Sequence, residues 1–185
     1  MPRQYYAVTF RFNLKTFRFR TVQINFLAID FDQTMIDVHT GGNWKGTALE
    51  LLAHVRPLFH HLIPVALERN IFIAIVTFSP QVDMIGFILQ NMLGEDAART
   101  IPIRGGSPHQ WMYTGMGNKE GKQGHMASAV EELEQLHKAD ITKATTLLLD
   151  DDAKNIRIAL REGVRAIWIN PKKSSLLLKD MKDLI

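Results

Sequence analysis

Three apolar runs in this 185-residue chain end in groups able to do chemistry. "FLAIDFDQT" closes on Asp30, Asp32 and Thr34, "IAIVTFS" on Thr77, Phe78 and Ser79, and "LLLDDD" on Asp150, Asp151 and Asp152. Taken singly, a carboxylate after a strand is most often a helix N-cap. Taken together, acidic clusters so far apart in the chain, both at strand ends of one sheet, would repel each other strongly unless a cation lay between them. Strand alternation also predicts that Asp30 and Asp32 share a face, where repulsion is worst. Oxygen donors without cysteine, and without a histidine cluster at ligand spacing, select a hard ion, and Mg²⁺ is the expectation.

The elements that would position these groups follow from periodicity. A buried strand ends near Asp30, a Gly-rich turn covers 39–46, and helical spacing runs from Leu49 to about Arg69, interrupted by Pro57 and Pro64. The run 71–79, rich in β-branched residues, reads as a strand covered on both faces, followed by a helix over 81–93 and a short strand over 100–105. A polar loop over 106–124, a helix over 125–138, a strand from 144, a helix over 153–162, a strand over 164–169 and a helix over 174–184 complete the pattern. Strands and helices alternate, so the predicted fold class is α/β: a Rossmann-like three-layer sandwich around a mainly parallel sheet, as one domain over 1–185. In such sheets ligands bind beyond the carboxyl ends of the strands, where all three reactive runs terminate.

Composition narrows the chemistry. There are no cysteines, which excludes disulfides, thiolate metal sites and every cysteine nucleophile. The longest apolar run, 71–76, is far shorter than a membrane helix requires, so a soluble, cytoplasmic protein with no membrane partner is expected. The net charge of +3 hides an asymmetry, because Arg3, Arg11, Lys15, Arg18 and Arg20 meet no acid before Asp30. Residues 1–22 form a basic, aromatic extension whose alternation suits a β-hairpin at a sheet edge better than a targeting peptide. A polyanion such as nucleic acid is a weaker reading of the same charges.

The loop "GMGNKEGKQGH" meets neither nucleotide fingerprint: Met116 stands at the first glycine of a P-loop, and Glu120 at the last glycine of a dinucleotide loop. His60 and His61 lack further ligands at metal spacing and are expected to pack or face solvent. Trp111 and Trp168 read as core or loop anchors. Trp44, with Lys45 beside it, follows the first acidic motif and is a candidate substrate contact, although packing is the favoured role.

The ordered set "IDFDQT", "IVTFS", a lysine before a helix, and "LLLDDDAKN" resembles the four motifs of the haloacid dehalogenase-like phosphohydrolases, over residues 26 to about 170. The resemblance is nearest to a small capless, magnesium-dependent phosphatase group. It implies that Asp30 attacks phosphorus to form an aspartyl-phosphate and that Asp32 serves as acid and base. The metal would be held by Asp30, the Asp32 backbone carbonyl and Asp151. Thr77, Phe78 and a lysine would bind the phosphoryl group. Counting favours Asp150-Asp151 as the acidic pair, since Asn155 then stands where the pattern wants Asp or Asn. Asp150, Asn155 and Thr34 would orient the ligands, and Asp152 would cap the next helix. Lys122 lies nearer the helix start than Lys119 and is preferred, with both retained. Gln33 departs from the usual glycine of DxDGT.

Only 42 residues separate Thr34 from Thr77, too few for a large cap, so an open site admitting large substrates such as phosphoproteins is expected. The alternatives are a noncatalytic phosphate-binding module of this fold and a nucleic-acid-end phosphatase. Oligomeric state is not readable.

Overall fold

The computed structural model describes residues 23–106, 111, 113, 115 and 117–171. Five strands, β1 (Phe26–Ile29), β2 (Phe72–Val76), β3 (Ile103–Arg104), β4 (Thr146–Asp150) and β5 (Arg165–Trp168), form one parallel sheet in the order β3-β2-β1-β4-β5. β1 is central, with Ile29 paired to Ile75 on one side and Leu149 on the other. The strand order reverses between β1 and β4, which opens a crevice at the carboxyl ends of these two strands.

Alternation along β1 and β2 assigns residues to two cores. Leu27, Ile29, Ile73 and Ile75 join Leu51, Phe59, Ile63, Ile85 and Ile88, contributed by α1 (Ala48–Leu52), α2 (Pro57–Glu68) and α3 (Val82–Leu93). Phe26, Ala28, Ala74 and Val76 join Met126, Ala129 and Leu133 of α5 (Gln123–His137) and Ala159 of α6 (Ala153–Arg161). Each β1 side chain is buried, because helices cover both sheet faces, and the strands therefore read as unbroken apolar runs. The expected three-layer α/β/α architecture is the one observed.

Several boundaries differ from expectation. The helical stretch after the Gly-rich turn is two helices, since Thr47 caps α1 and Pro57 opens α2 at its first position, where no N–H is needed. Pro64 does not interrupt; it lies inside α2. The expected strand over 100–105 shrinks to Ile103–Arg104, and α4 (Glu95–Arg99) precedes it, set off from α3 by Gly94 at φ 84°. The N-terminal hairpin and the final helix fall outside the described residues. Among the described residues no helix is long and apolar enough to cross a membrane.

Candidate active site

β1 stops at Ile29, and the chain then folds into a tight turn over Phe31–Met35 in which Ile36 N–H donates to the Phe31 carbonyl. Gln33 adopts φ 56°, a left-handed conformation that glycine takes without strain and most side chains disfavour. The turn is secured by Gln33 N–H on the Val38 carbonyl at 3.0 Å and by the Arg56 guanidinium, which donates to the Gln33 carbonyl at 3.1 Å. Arg56 is buried and its Nε has no partner among the described residues.

This turn corrects the expectation that Asp30 and Asp32 crowd one strand face. The strand ends before Asp30, so alternation does not apply to the pair. Asp30 Oδ1 accepts from Lys122 Nζ at 2.8 Å, whereas the Asp32 carboxylate accepts from the Thr40 N–H and hydroxyl, each at 3.0 Å. The like-charge crowding falls elsewhere. Asp30, Asp150 and Asp151 each offer an oxygen, and these oxygens lie within 4.8 Å of one another.

Neighbours hold each acid of that cluster. Asp150 Oδ1 accepts from Asp152 N–H at 2.8 Å and Oδ2 from the Asn155 amide at 3.0 Å. Asp151 Oδ1 accepts from the Thr34 hydroxyl at 3.2 Å, and the Trp168 indole N–H donates to the Asp151 carbonyl. The Asp152 side chain is turned to another use: its carboxylate accepts from Lys154 N–H and caps α6. Burial raises the Asp30 carboxyl above its ordinary range, with the Lys122 ammonium opposing. Burial and then the Asp30 charge push Asp150 up to about 7, and burial raises Asp151. All three shifts describe a site in which negative charge is under-compensated. Converging oxygen donors of this kind, with two of the three acids buried, fit a hard divalent cation.

The lysine alternatives separate by geometry. α5 begins at Gln123, which puts Lys122 at its N-cap position with its side chain 1% exposed against Asp30. Lys119 is exposed and lies over the Tyr113 ring. Lys122 Nζ also sits 3.8 Å from the Phe78 ring centroid, so an aromatic face helps to fix the ammonium. Thr77 is buried beside it, its hydroxyl accepting from Ser79 N–H at 3.1 Å. Asp30, Asp32, Thr77, Phe78, Lys122 and Asp151 line one cavity of about 710 Å³.

Other candidates lie apart. Trp44 packs against the core, its indole N–H donates to the Thr47 carbonyl, and neither it nor Lys45 lines the cavity. His60 and His61 are exposed. Trp111 donates to the Gly105 carbonyl and Trp168 to that of Asp151, so both anchor loops. Thr40 and Arg56 carry no sequence signal, and each acts through a fold contact; His125 stands in the "KQGH" spacing at the start of α5.

His125, one turn after Lys122, is wedged between the Phe78 and Trp111 rings at centroid distances of 5.2 and 4.6 Å. Burial, then the Lys122 charge, lower its imidazole from 6.5 to about 4. Between those values the unfolded chain binds a proton that the native state does not, so this residue removes stability as pH falls through that window, by about 3 kcal/mol in full. Asp150 has the opposite slope but is common to wild type and a His125→Phe variant. Chemical denaturation of both proteins at about pH 7 and about pH 4 should therefore show the variant gaining by roughly that amount on acidification; an unchanged difference would mean that His125 is charged in the native state.

No family model matches the chain, and no curated protein does. Among solved structures, the chain is similar to a candidate phosphatase from Clostridium difficile, at 12% identity and TM-score 0.49, over 82% of this chain and 87% of that one. It is also similar to the HAD domain of effector protein Lem4 from Legionella pneumophila, at 17% identity and TM-score 0.49, over 85% of this chain and 93% of that one. An inactive mutant of the same domain aligns at TM-score 0.46.

Proposed function

We propose that this chain is a phosphohydrolase of the haloacid dehalogenase-like type, cleaving phosphomonoesters through an aspartyl-phosphate on Asp30. One observation carries the reading: a buried lysine ammonium is paired at 2.8 Å with a buried carboxylate, inside a group of three acids at the mouth of a parallel sheet. A fold gains nothing from gathering three acids, two of them buried, around one buried lysine, because an apolar cluster of the same volume would serve stability as well or better. The arrangement makes sense where a dianionic group and a metal enter together.

Asp30 is the nucleophile in this reading, and Lys122 steadies it and then the transferring phosphoryl oxygens. Thr77 and the backbone at Phe78 bind the remaining phosphoryl oxygens. Asp32 protonates the leaving oxygen and later takes a proton from water. Asp30, Asp151 and the Asp32 carbonyl would hold Mg²⁺, with Asp150, Asn155 and Thr34 orienting them. The ion supplies charge neutralisation for the incoming phosphoryl group. Between Met35 and Ile71, α1 and α2 contribute side chains to the core, which supports a capless reading. An open entrance of that kind would admit phosphoproteins, the substrate class we favour. A noncatalytic module would have no need of the full set of nucleophile, acid, lysine and metal donors.

Phosphate release from p-nitrophenyl phosphate, with Mg²⁺ and with chelator, tests the reading: turnover that requires the metal supports it, and a folded protein with none overturns it. Metal binding has its own readout, because the Trp168 indole is bonded to Asp151. Removing an outer-shell partner typically weakens metal affinity by about 10–100-fold, so Asp151→Asn, which alters a direct ligand, should weaken Mg²⁺ binding by about 100-fold or more in a fluorescence titration. Unaltered affinity would remove Asp151 from the metal site.

A further inference from the structure

Thr40 holds both oxygens of the Asp32 carboxylate. Its N–H donates to Oδ1 and its hydroxyl to Oδ2, each at 3.0 Å, and the same hydroxyl oxygen accepts from Gly42 N–H at 3.2 Å. These contacts tie Asp32 to a turn in which Gly41 and Gly42 have φ of 62° and 72° and line the same cavity. A β-carbon added at Gly42 would come within 3.0 Å of Pro80 Cδ, so the turn is seated against the loop that follows Thr77. Asp32 is thereby fixed relative to both sides of the site.

We propose that Thr40 is a positioning residue for Asp32, orienting its carboxylate and selecting Oδ2 as the oxygen that exchanges a proton with substrate; this rests on the phosphohydrolase reading above. A peptide N–H can only donate, so Oδ1 is held as an acceptor. A hydroxyl has one proton and two lone pairs. Gly42 N–H occupies one lone pair, which leaves Thr40 Oγ1 able to donate to an ionised Oδ2 or, after rotating its O–H, to accept from a protonated one. Oδ2 can therefore gain or lose a proton without losing its partner.

In the first half-reaction an Asp30 oxygen bonds to phosphorus while the ester P–O bond breaks. The bonding pair stays on the leaving oxygen, which takes the proton from Asp32 Oδ2. In the second, a water oxygen bonds to phosphorus, its proton passes to Oδ2, and the bond from phosphorus to Asp30 breaks to release phosphate. Orientation of Oδ2 matters most where the leaving oxygen is basic and cannot depart as an anion.

The test compares kcat/KM for an alkyl phosphate, phosphoserine, with that for p-nitrophenyl phosphate, whose alcohol departs as a stable anion. This ratio of constants reports only steps through loss of the alcohol, so later hydrolysis does not mask the effect. Thr40→Val keeps the side-chain shape and the N–H but deletes the hydroxyl. It should lower kcat/KM for phosphoserine by about tenfold or more and for p-nitrophenyl phosphate by less than about threefold, and Thr40→Ser should restore both. Thr40→Ala gives the same reading should the valine variant fail to fold. Equal losses on the two esters, no loss, or no rescue by serine would overturn the proposal while the wild type remains active. A wild type inactive on both esters overturns the phosphohydrolase reading and this inference with it.

Discussion

Asp30→Asn is expected to abolish phosphate release, by a factor on the order of 10⁴ or more, while leaving the fold intact and the metal-free protein no less stable than wild type. The amide nearly matches the carboxylate in shape but cannot attack phosphorus. Stability should hold because the substitution removes one of three crowded acids. Asp30 is raised by burial, and Asp150 by burial and then by the Asp30 charge, so neutralising Asp30 removes a charge that burial penalises and relieves its neighbour. Lys122 loses its 2.8 Å partner but keeps two nearby acids and the Phe78 ring. The measurements are steady-state phosphate release, acid-quenched protein probed for a covalent phosphoryl group, and thermal unfolding with chelator. Residual turnover within tenfold of wild type, or an adduct formed on the variant, would place the nucleophile elsewhere.

The juxtaposition of the three reactive runs was legible because β1, β2 and β4 are buried on both faces and so appear as continuous apolar stretches, each stopping where the sheet ends. Once strands are parallel, whatever follows each run must emerge on one edge. The register within "DDDAKN" could also be read by counting: the Asn155 amide reaches Asp150, and Asp152 is spent on the cap of α6. Choosing between Lys119 and Lys122 needed the first residue of α5, and helix starts are poorly fixed by pattern when no Ser, Thr, Asp or Asn marks the cap.

What the sequence concealed is the turn after β1. Strand periodicity extended two residues too far sets Asp30 and Asp32 side by side; the turn starts at Phe31 and seats the Asp32 carboxylate on Thr40, and a glutamine at position 33 gives no warning of the positive φ that the turn requires. The same turn hides Thr40 and Arg56, whose contacts with Asp32 and Gln33 exist only because the chain doubles back on itself. Such side chains act on the site through backbone geometry, and no spacing rule locates them. Trp44 illustrates the converse: proximity in sequence suggested the site mouth, but its half-buried ring packs against the core instead.

Lys122→Met should produce the largest loss of stability of any single change at the site, about 3–5 kcal/mol in the metal-free protein, the usual consequence of removing one partner from a buried ion pair. Methionine matches the length and apolar stem of lysine, so packing against Phe78 is largely kept and the loss reports charge. With the ammonium gone, Asp30, Asp150 and Asp151 share a small volume with no internal cation, and each must take up a proton or repel the others. Two consequences distinguish this from a packing defect. Divalent metal should restore much more stability to Lys122→Met than to wild type, since the ion replaces the missing positive charge. Turnover should nevertheless stay lost, because the ammonium that steadies the phosphoryl oxygens is not replaced by an ion bound among the acids. Denaturant unfolding with chelator and with saturating Mg²⁺ measures the first, and phosphate release the second. A variant as stable as wild type without metal would show that the acids need no cation, and the electrostatic basis of the site would fail with it.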